Sequence, residues 1–438
     1  MPASPSTKVS IAAAFVCDCD KRVRTACKGF PFFKEHEGKQ YCVLHYPGKE
    51  KTLAFKEALD KKIKAEEFNF SGVWFPDALD LSSAKFSAGA CFKYATFSEK
   101  ADFSRVEFGA QADFSRTTFR AEAHFKHTTF SAKADFHGIV FTMEAVFFTA
   151  VFMAEVDFNR AVFSTEADFR LATFSSEANF RTATFKDYVR FAGGSKHEVF
   201  GDNSSLNLQF ARFEKPERVS FHTVKLRPHW FVNVDPRKFE FTSVGWHWYN
   251  HHWYNLKIRG KLKRQLREKA IPSYILLAVA CRRLAVNAEE NNLYWRASSF
   301  RYLAMNVERL DTGRGFAFWK VDWWYWLASG FGERAGRAFS VLIGVLVLFA
   351  ALYVGLGYPN WGTRVAPEKA AAAAPLKEVT AWQQWSSALV YSAGVMTLQK
   401  PEPKPATNAA QAVVMLETVL GPVQAALLAL AIRRKFMR

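Results

Sequence analysis

Residues 101–119 read ADFSRVEFGAQADFSRTTF, a stretch whose phenylalanines are spaced alternately by five and six residues. The same alternation runs from Phe70 to Phe191, with Leu81 at the one position that lacks Phe. An α-helix would scatter side chains at this spacing around its circumference, and an extended strand would need an apolar residue at every second position. The spacing therefore predicts a solenoid, in which each short side of a coil contributes one inward phenylalanine.

A small or β-branched residue stands two positions before each phenylalanine from Phe75 to Phe191. One series consists of Ala101, Ala112, Ala123, Ala134, Ala145, Val156, Ala167 and Ala178, and the other of Val106, Thr117, Thr128, Ile139, Ala150, Ala161, Ala172 and Ala183. We expect these side chains to point inward as well, at corners too narrow for large residues. The remaining positions of each unit are expected to face water.

Units such as Ala101-Asp102-Phe103-Ser104-Arg105 resemble the repeats of the pentapeptide-repeat family. The resemblance implies a right-handed quadrilateral β-helix. Two eleven-residue units would complete one coil, so residues 70–191 would form roughly five to six coils stacked about 4.8 Å apart. Less regular phenylalanines further on extend the predicted solenoid domain over residues 67–245.

The charge of the whole chain predicts an anionic partner, but the charge of the solenoid does not predict a mimic of DNA. The 438 residues carry a net charge of +18, which suits nucleic acid or the anionic face of a membrane. Residues 70–191, however, contain 13 Lys and Arg against 15 Asp and Glu. A mimic of DNA needs a field of one sign, so we expect the solenoid to be a rigid spacer or docking surface.

Residues 1–66 are predicted to be a Cys-rich cap over the open end of the solenoid, with a charged helix over Leu53–Lys64. The cap contains five candidate metal ligands, namely Cys17, Cys19, Cys27, Cys42 and His45. Their clustering favours a metal site in a reducing compartment over a disulfide framework. A structural zinc ion needs four such ligands, and free thiols are the alternative, since the spacing matches no common zinc finger. The chain opens without a secretory segment, so its N-terminus is expected in the cytoplasm.

Residues 246–335 are predicted to form a basic and aromatic helical adaptor next to the membrane. Seven cations follow the aromatic, His-rich residues 246–254, namely Lys257, Arg259, Lys261, Lys263, Arg264, Arg267 and Lys269. Because apolar spans follow, we expect these cations to bind anionic lipid head groups, and we expect no nucleic-acid partner. His247 and His251 have a spacing that a metal could use, but interfacial packing is the favoured interpretation.

Further helices are predicted within this adaptor. Apolar periodicity predicts a helical hairpin over residues 275–287 and 293–310. It resembles the hairpin that couples solenoid to membrane in bacterial pentapeptide-repeat membrane proteins, whose units are distantly similar to tetratricopeptide repeats. The segment Phe318–Trp326 has the aromatic content of a helix at the membrane interface.

Two membrane spans are predicted in the last module, residues 336–438, at Ala338–Tyr358 and Ala409–Ile432. The cations that end the chain are Arg433, Arg434, Lys435 and Arg438. By the positive-inside rule they place the second span's end, and therefore both termini and the solenoid, in the cytoplasm. We expect an integral protein of a bacterial inner membrane.

Between the spans, residues 385–398 are apolar enough for a re-entrant helix. This segment, with Thr397, Glu417 and Gly421, resembles the two-transmembrane pore module of the potassium-channel superfamily. The sequence departs at residues 398–401, which read LQKP where a potassium filter needs VGYG to aim backbone carbonyls at the ion. Thr397 and Glu417 are the pore candidates, and a helix-packing role for Glu417 is the alternative.

The sequence contains no phosphate-binding glycine loop, HExxH motif or nucleophile elbow, so we do not expect an enzyme. Two other classes of function remain. The favoured hypothesis is a membrane-anchored scaffold whose cytoplasmic solenoid binds an unknown protein partner. The alternative is an ion channel with a degenerate, non-potassium filter gated by the solenoid. Either would assemble as a homo-oligomer in the lipid bilayer.

Overall fold

The computed structural model describes residues 15–194, 198–247, 274–311, 320–359, 380–405 and 407–436. Two compact units divide the chain, Met1–Ala270 and Ile271–Arg438. The first contains the Cys-rich segment and the predicted repeats, and the second contains the longer helices.

The first unit begins with a small mixed element. A 3-10 helix at Arg24–Cys27 is followed by the antiparallel hairpin Phe32–His36 and Lys39–Cys42. A 3-10 turn at Lys49–Lys51 then leads into helix α1, Thr52–Lys64. This element lies on the first coil of the solenoid, where the Trp74 backbone N–H donates to the Leu44 carbonyl at 3.1 Å.

The predicted solenoid is confirmed, with its strands in four parallel sheets of six, seven, eight and five strands. Sheet A contains Ala90–Cys91, Ala112–Asp113, Ala134–Asp135, Val156–Asp157, Glu177–Asn179 and Ser205–Asn207. Sheet B contains Trp74–Phe75, Thr96–Phe97, Thr118–Phe119, Val140–Phe141, Val162–Phe163, Thr184–Phe185 and Arg212–Phe213. Sheet C contains Leu79–Asp80, Ala101–Asp102, Ala123–His124, Ala145–Val146, Ala167–Asp168, Val189–Ala192, Val219–His222 and Glu240–Thr242. Sheet D contains Lys85–Phe86, Glu107–Phe108, Thr129–Phe130, Val151–Phe152 and Thr173–Phe174.

Each coil of the regular part repeats the one before it without a change of register. Ala112 pairs with Ala134 and Phe119 with Phe141, so equivalent residues of neighbouring coils are 22 positions apart. The regular coils are followed by 3-10 turns at Pro216–Arg218 and Pro228–Phe231 and by the parallel pair Lys225–Leu226 and Gly245–Trp246. Trp230 and Trp246 are buried there, so apolar packing continues to the last described coil.

Stacked phenylalanines fill the solenoid. Phe125 lies flat between Phe103 and Phe147, with ring centroids 5.0 and 4.9 Å away and planes tilted by 3°. It meets Phe114 and Phe136 edge-on at 5.6 and 5.8 Å, so each ring combines stacked contacts along the axis with perpendicular contacts across it. The alanines and β-branched residues of both series are fully buried, as expected. Where that residue is threonine, its hydroxyl donates to the carbonyl of a neighbouring coil, as Thr128 does to Phe103 at 2.7 Å.

The expectation that the remaining positions face water is wrong in part. Asp168 and Val146 are 2% and 4% exposed. The repeated Asp is held near the backbone because its carboxylate accepts a hydrogen bond from the N–H two residues later, at 2.8 Å for Asp113 and 2.9 Å for Asp135. These Asx turns shape the corner that follows each strand, which explains why Asp or Asn precedes Phe in the repeat.

The Asx turns stack carboxylates on neighbouring coils, which gives a first prediction. Burial raises the pKa of Asp135, and the Asp113 and Asp157 carboxylates raise it further. A raised carboxyl pKa in the folded state means that ionisation destabilises the fold, so stability is lost as the pH rises through that pKa. We expect Asp135→Asn, which keeps the acceptor, to raise the free energy of unfolding at pH 7 by about 0.2–1 kcal/mol.

This gain should fade as the pH falls below the raised pKa, because protonated Asp135 then resembles asparagine. Urea unfolding of the two proteins across a pH series measures it. Asp80→Asn is the control, since Asp80 makes the same Asx turn with Ser82 at an exposed position and pairs with one carboxylate, that of Asp102, whereas Asp135 lies between two. A gain of equal size for Asp80→Asn would contradict the proposed repulsion between stacked carboxylates.

The second unit is helical. Its helices are α2 (Tyr274–Glu290), α3 (Tyr294–Asp311), α4 (Val321–Ser329), α5 (Ala335–Gly355), α6 (Ala381–Met396) and α7 (Asn408–Phe436). Helices α2 and α3 pack as the expected hairpin, and α6 packs against both α5 and α7. An apolar cluster that includes Phe349, Tyr391 and Ala410 holds these last three helices together.

Candidate metal centre and membrane module

Four of the five candidate ligands converge in the N-terminal element. The Cys17, Cys27 and Cys42 sulfurs and a ring nitrogen of His45 all lie within 4.8 Å of one another, and all four residues are buried. Each ligand comes from a different local element. Cys17 precedes the 3-10 helix, Cys27 ends it, Cys42 ends the hairpin, and His45 lies in the turn that follows.

The spacing of these atoms suits a tetrahedral zinc ion. The His45 Nδ1 atom is 3.4 Å from the Cys42 sulfur and 3.9 Å from the Cys17 sulfur. Zinc bonds of about 2.3 Å to sulfur and about 2.0 Å to nitrogen require tetrahedral ligand separations of about 3.5–3.8 Å. Three thiolates and one imidazole are a donor set that zinc takes in structural sites.

Hydrogen bonds around the group orient its ligands. The other ring nitrogen of His45, Nε2, lies 3.0 Å from the Ser71 carbonyl oxygen, so it carries the proton and leaves Nδ1 free to bind a metal. The Cys42 backbone N–H donates to the Cys17 sulfur at 3.4 Å, as suits a thiolate. Gly72 has a φ of +68°, and a Cβ there would lie 2.6 Å from Val23 and 3.2 Å from His45 Nε2. A larger residue at this position would push the imidazole away from the first coil.

The electrostatics of the cluster favour a bound cation. Hydrogen bonds from Cys19 and Cys27 lower the pKa of Cys17, whereas hydrogen bonding to Cys17 and Cys19 raises the pKa of Cys27. The crowded sulfurs therefore share charge unequally, and a divalent ion would allow all of them to ionise. Cys19 lies beside the group, with its sulfur 3.9 Å from that of Cys27, and is the fifth ligand of the predicted set.

Comparison with protein families identifies the repeats. The family model described as Pentapeptide repeats (9 copies) matches residues 92–140. These coils are a pentapeptide-repeat solenoid. Comparison with curated proteins finds no match, and neither does comparison with solved structures. The match covers the middle of the solenoid, so the cap and the helical unit are interpreted from their own residues.

Two helices that follow the pentapeptide-repeat solenoid are long and apolar enough to cross a membrane, Ala335–Gly355 with 21 residues and Asn408–Arg434 with 27. They correspond to the two predicted spans, and each begins slightly earlier than predicted. Within their most apolar stretches only 22% and 17% is buried inside the protein. Apolar side chains exposed to this degree favour a lipid environment over the core of a soluble domain.

Glu417 is fully buried between the three helices of this module. Both of its carboxylate oxygens accept hydrogen bonds, one from the Tyr353 hydroxyl of α5 and the other from the Ser392 hydroxyl of α6. The Tyr353 ring also packs edge-on against Tyr391 at 5.2 Å. This arrangement matches the helix-packing interpretation of Glu417, in which the carboxylate joins α6 to both spans.

Thr397 occupies a different environment from Glu417. It is exposed at the C-terminal end of α6, and its hydroxyl donates to the Ala393 carbonyl at 2.9 Å. The Gln399 N–H donates to the Gly394 carbonyl at 2.9 Å, which closes the helix end. The structure therefore does not bring the two pore candidates into one site.

Other predicted residues fall outside the described ranges. They include all seven cations of the predicted lipid site, Lys257, Arg259, Lys261, Lys263, Arg264, Arg267 and Lys269, together with His251 and the first two residues of the predicted interfacial helix. The part of the predicted interfacial helix from Val321 to Trp326 is helical, as the first part of α4.

Sequence reasoning missed the partners of both sites. Ser71 and Gly72 beneath His45 belong to the first coil and carry no motif of their own. Tyr353 gave a usable signal, because a tyrosine in an apolar span needs a partner for its hydroxyl. Ser392 gave a similar signal within the re-entrant segment.

The carboxylate of Glu417 should stabilise the three-helix module. We expect Glu417→Ala to lower its free energy of unfolding by about 1–3 kcal/mol, because the buried Tyr353 hydroxyl loses this acceptor while the Ser392 hydroxyl keeps the Leu346 carbonyl, 3.2 Å away. Thermal unfolding of the full chain in detergent, with protease cleavage of residues 397–405, measures the loss. Thr418→Ala is the control, since that exposed hydroxyl bonds only within its own helix among the described residues, at 2.7 Å to the Val414 carbonyl. Equal losses for both variants would contradict this role.

Proposed function

We propose that this protein is a membrane-anchored scaffold whose pentapeptide-repeat solenoid binds a protein partner in the cytoplasm. The observation that carries the proposal is the combination of a rigid, fully packed solenoid with two exposed apolar helices on one chain. The solenoid interior is filled with phenylalanine and leaves no room for a substrate. Any binding by the solenoid therefore takes place on its outer surface. The surface mixes charges of both signs, which suits protein docking better than binding of DNA.

The finer architecture belongs to the same proposal. The four parallel sheets and the 22-residue repeat support a right-handed quadrilateral β-helix. The cations at the end of α7 support cytoplasmic termini by the positive-inside rule, and the membrane in this proposal is the inner membrane of a bacterium. Assembly of several copies in the bilayer also belongs to this proposal.

The cap holds a structural zinc ion in this proposal. Cys17, Cys27, Cys42 and His45 bind it, and the ion ties the 3-10 helix to the hairpin and to the first coil through His45. Its role is to fix the cap over the open end of the β-helix, where backbone groups would otherwise be unpaired. The zinc takes no part in a reaction.

Membrane anchorage and orientation can be tested on the full chain expressed in bacteria. We expect it to resist extraction by alkaline carbonate, and the solenoid to be cleaved by added protease in inside-out vesicles but not in intact spheroplasts. Release by carbonate would refute anchorage, and cleavage in spheroplasts would refute the cytoplasmic orientation.

Scaffolding is tested separately by a photocrosslinking residue placed in the solenoid. Met153 is 55% exposed and suits this purpose. Discrete protein adducts in cells are expected there, and adducts should be lost when the crosslinker occupies the buried position Phe152. Absence of adducts at several exposed solenoid positions would refute the scaffold.

An ion channel is the second candidate. It is favoured by one observation, the packing of α6 between the two spans, where a re-entrant pore helix would lie. The buried, hydrogen-bonded state of Glu417 argues for the scaffold, because that carboxylate is occupied within the three-helix module. Single-channel recording of purified protein in planar bilayers decides between them, with discrete currents supporting the channel.

A further inference from the structure

The two long apolar helices run antiparallel, so the start of α5 and the end of α7 lie together. The Gln424 side-chain amide donates to the Ala338 carbonyl at 2.8 Å, and an Arg434 guanidinium N–H donates to the Phe331 carbonyl at 3.0 Å. The short helix α4 precedes α5 and therefore lies at this same end of the module. Its residues and the hairpin residues that contact them form a rim around the ends of the spans.

Guanidinium groups lie against aromatic rings in this rim. The central carbon of Arg309 is 4.2 Å from the centre of the Trp326 ring, and that of Arg337 is 5.1 Å from it. The central carbon of Arg334 is 4.6 Å from the Tyr302 ring. Stacking holds such groups in place and directs their N–H edges sideways, which is the geometry that binds phosphate oxygens. One N–H group of Arg337 donates to the Trp326 carbonyl at 3.1 Å and one of Arg309 to the Asn306 side-chain oxygen at 3.2 Å, out of the five N–H donors that each guanidinium carries.

The rim has an excess of positive charge. Glu333, whose side chain is 1% exposed, lies 3.4 Å from both Arg301 and Arg434, so its charge is already balanced. Arg337 and Arg433 have no carboxylate partner among the residues described. Asp322 is the one carboxylate within α4, and it is exposed.

An apolar strip lies on a different face of α4 from Trp326 and its stacked cations. On α4, Val321, Trp324 and Leu327 follow one helical face and are 81%, 56% and 38% exposed. The next helix exposes Phe339 and Ile343, which continues apolar surface into the first span. A soluble anion would leave this strip exposed to water, whereas a membrane surface offers head groups to the cations and acyl chains to the strip.

We propose that Arg309, Arg334 and Arg337, stacked on Tyr302 and Trp326, bind the headgroup phosphate of an anionic phospholipid, while Val321, Trp324 and Leu327 on the other face of α4 contact the acyl region of the bilayer. The site rests on the proposed membrane anchorage and is separate from the predicted lipid-binding cations at residues 257–269. Bound lipid fixes α4 in the interface and joins the α2–α3 hairpin, through Tyr302 and Arg309, to the membrane.

The test uses full-length protein in nanodiscs of phosphatidylcholine with increasing phosphatidylglycerol, and mass spectrometry counts the lipids that stay bound on release. Wild-type protein should retain phosphatidylglycerol preferentially. The variant Arg334→Gln with Arg337→Gln should bind it about tenfold or more weakly, since each cation near the surface contributes appreciably to anionic lipid binding. The matched control is Lys400→Gln with Lys404→Gln, which removes the same charge at exposed positions at the other end of the spans. Its affinity should change by less than about twofold.

Two further measurements distinguish a lipid site from a folding defect and from a site for free phosphate. If the double variant fails to fold, Arg334→Lys with Arg337→Lys keeps the charge but loses the planar guanidinium, and it should weaken binding by an intermediate factor. Inorganic phosphate and glycerol phosphate should not compete with the lipid, and equal binding of either would overturn the lipid assignment. Wild-type protein that resists carbonate extraction but shows no lipid preference overturns the site alone, whereas release by carbonate refutes anchorage itself.

Discussion

Replacing Phe125 with alanine is expected to lower the free energy of unfolding of the solenoid by about 3–5 kcal/mol. The side chain is fully buried and stacks on Phe103 and Phe147 while touching Phe114 and Phe136 edge-on. A cavity in the middle of the stack cannot collapse, because hydrogen bonds between parallel coils fix the spacing of the neighbouring backbones. Since each coil contacts only its neighbours, the damage should appear as local opening around residues 103–147.

Urea unfolding followed by circular dichroism and hydrogen exchange across these coils measures the loss. Phe210→Ala is the control, because that phenylalanine is 54% exposed and the same truncation should change stability by less than about 1 kcal/mol. Phe125→Leu should fall between them, because leucine fills most of the volume but cannot stack. A loss for Phe125→Ala no larger than that for Phe210→Ala would show that the stacked core does not stabilise the coils.

Replacing Cys42 with serine is expected to abolish stoichiometric zinc binding and to unfold the cap. Zinc bound to a site of this type contributes about 10–16 kcal/mol of apparent binding free energy in small zinc modules, which is far more than a few dozen residues gain from apolar burial. Cys42 ends the hairpin, and its sulfur lies 3.4 Å from His45 Nδ1, so the substitution removes a thiolate next to the imidazole ligand. Mass-spectrometric metal analysis of purified full-length protein gives the zinc content directly.

Two further variants determine which sulfurs bind the metal. Cys19→Ser should keep one zinc ion per chain, because the Cys17, Cys27, Cys42 and His45 donors complete a tetrahedron without it. Cys281→Ser is the control for the exchange itself, since that buried thiol lies in the other unit. Wild-type protein purified with no zinc would refute the metal centre. Loss of zinc from Cys19→Ser would show that Cys19 is a ligand in place of one of the proposed four.

The predictions from sequence succeeded where a residue's role depends on local repetition. The phenylalanine spacing gave the solenoid and its 22-residue coil, since one register satisfies every unit and a slip would expose the phenylalanines. The α2–α3 hairpin and both apolar helices likewise followed from periodicity and length. The role of the repeated Asp was missed, because an Asx turn depends on backbone geometry that composition does not encode.

Sequence alone determined that the chain combines a repeat solenoid with two apolar helices, because burial of a regular apolar pattern is a property of neighbouring residues. Only the tertiary structure decided which distant groups meet. It brought Cys17 and Cys27 to Cys42 and His45, and Glu417 to Tyr353 and Ser392. Such sites depend on distances of a few ångströms between segments far apart in the chain, and those distances are set by how the hairpin sits on the first coil and how three helices pack. The pattern of the sequence fixes the faces of the elements but not these contacts between them.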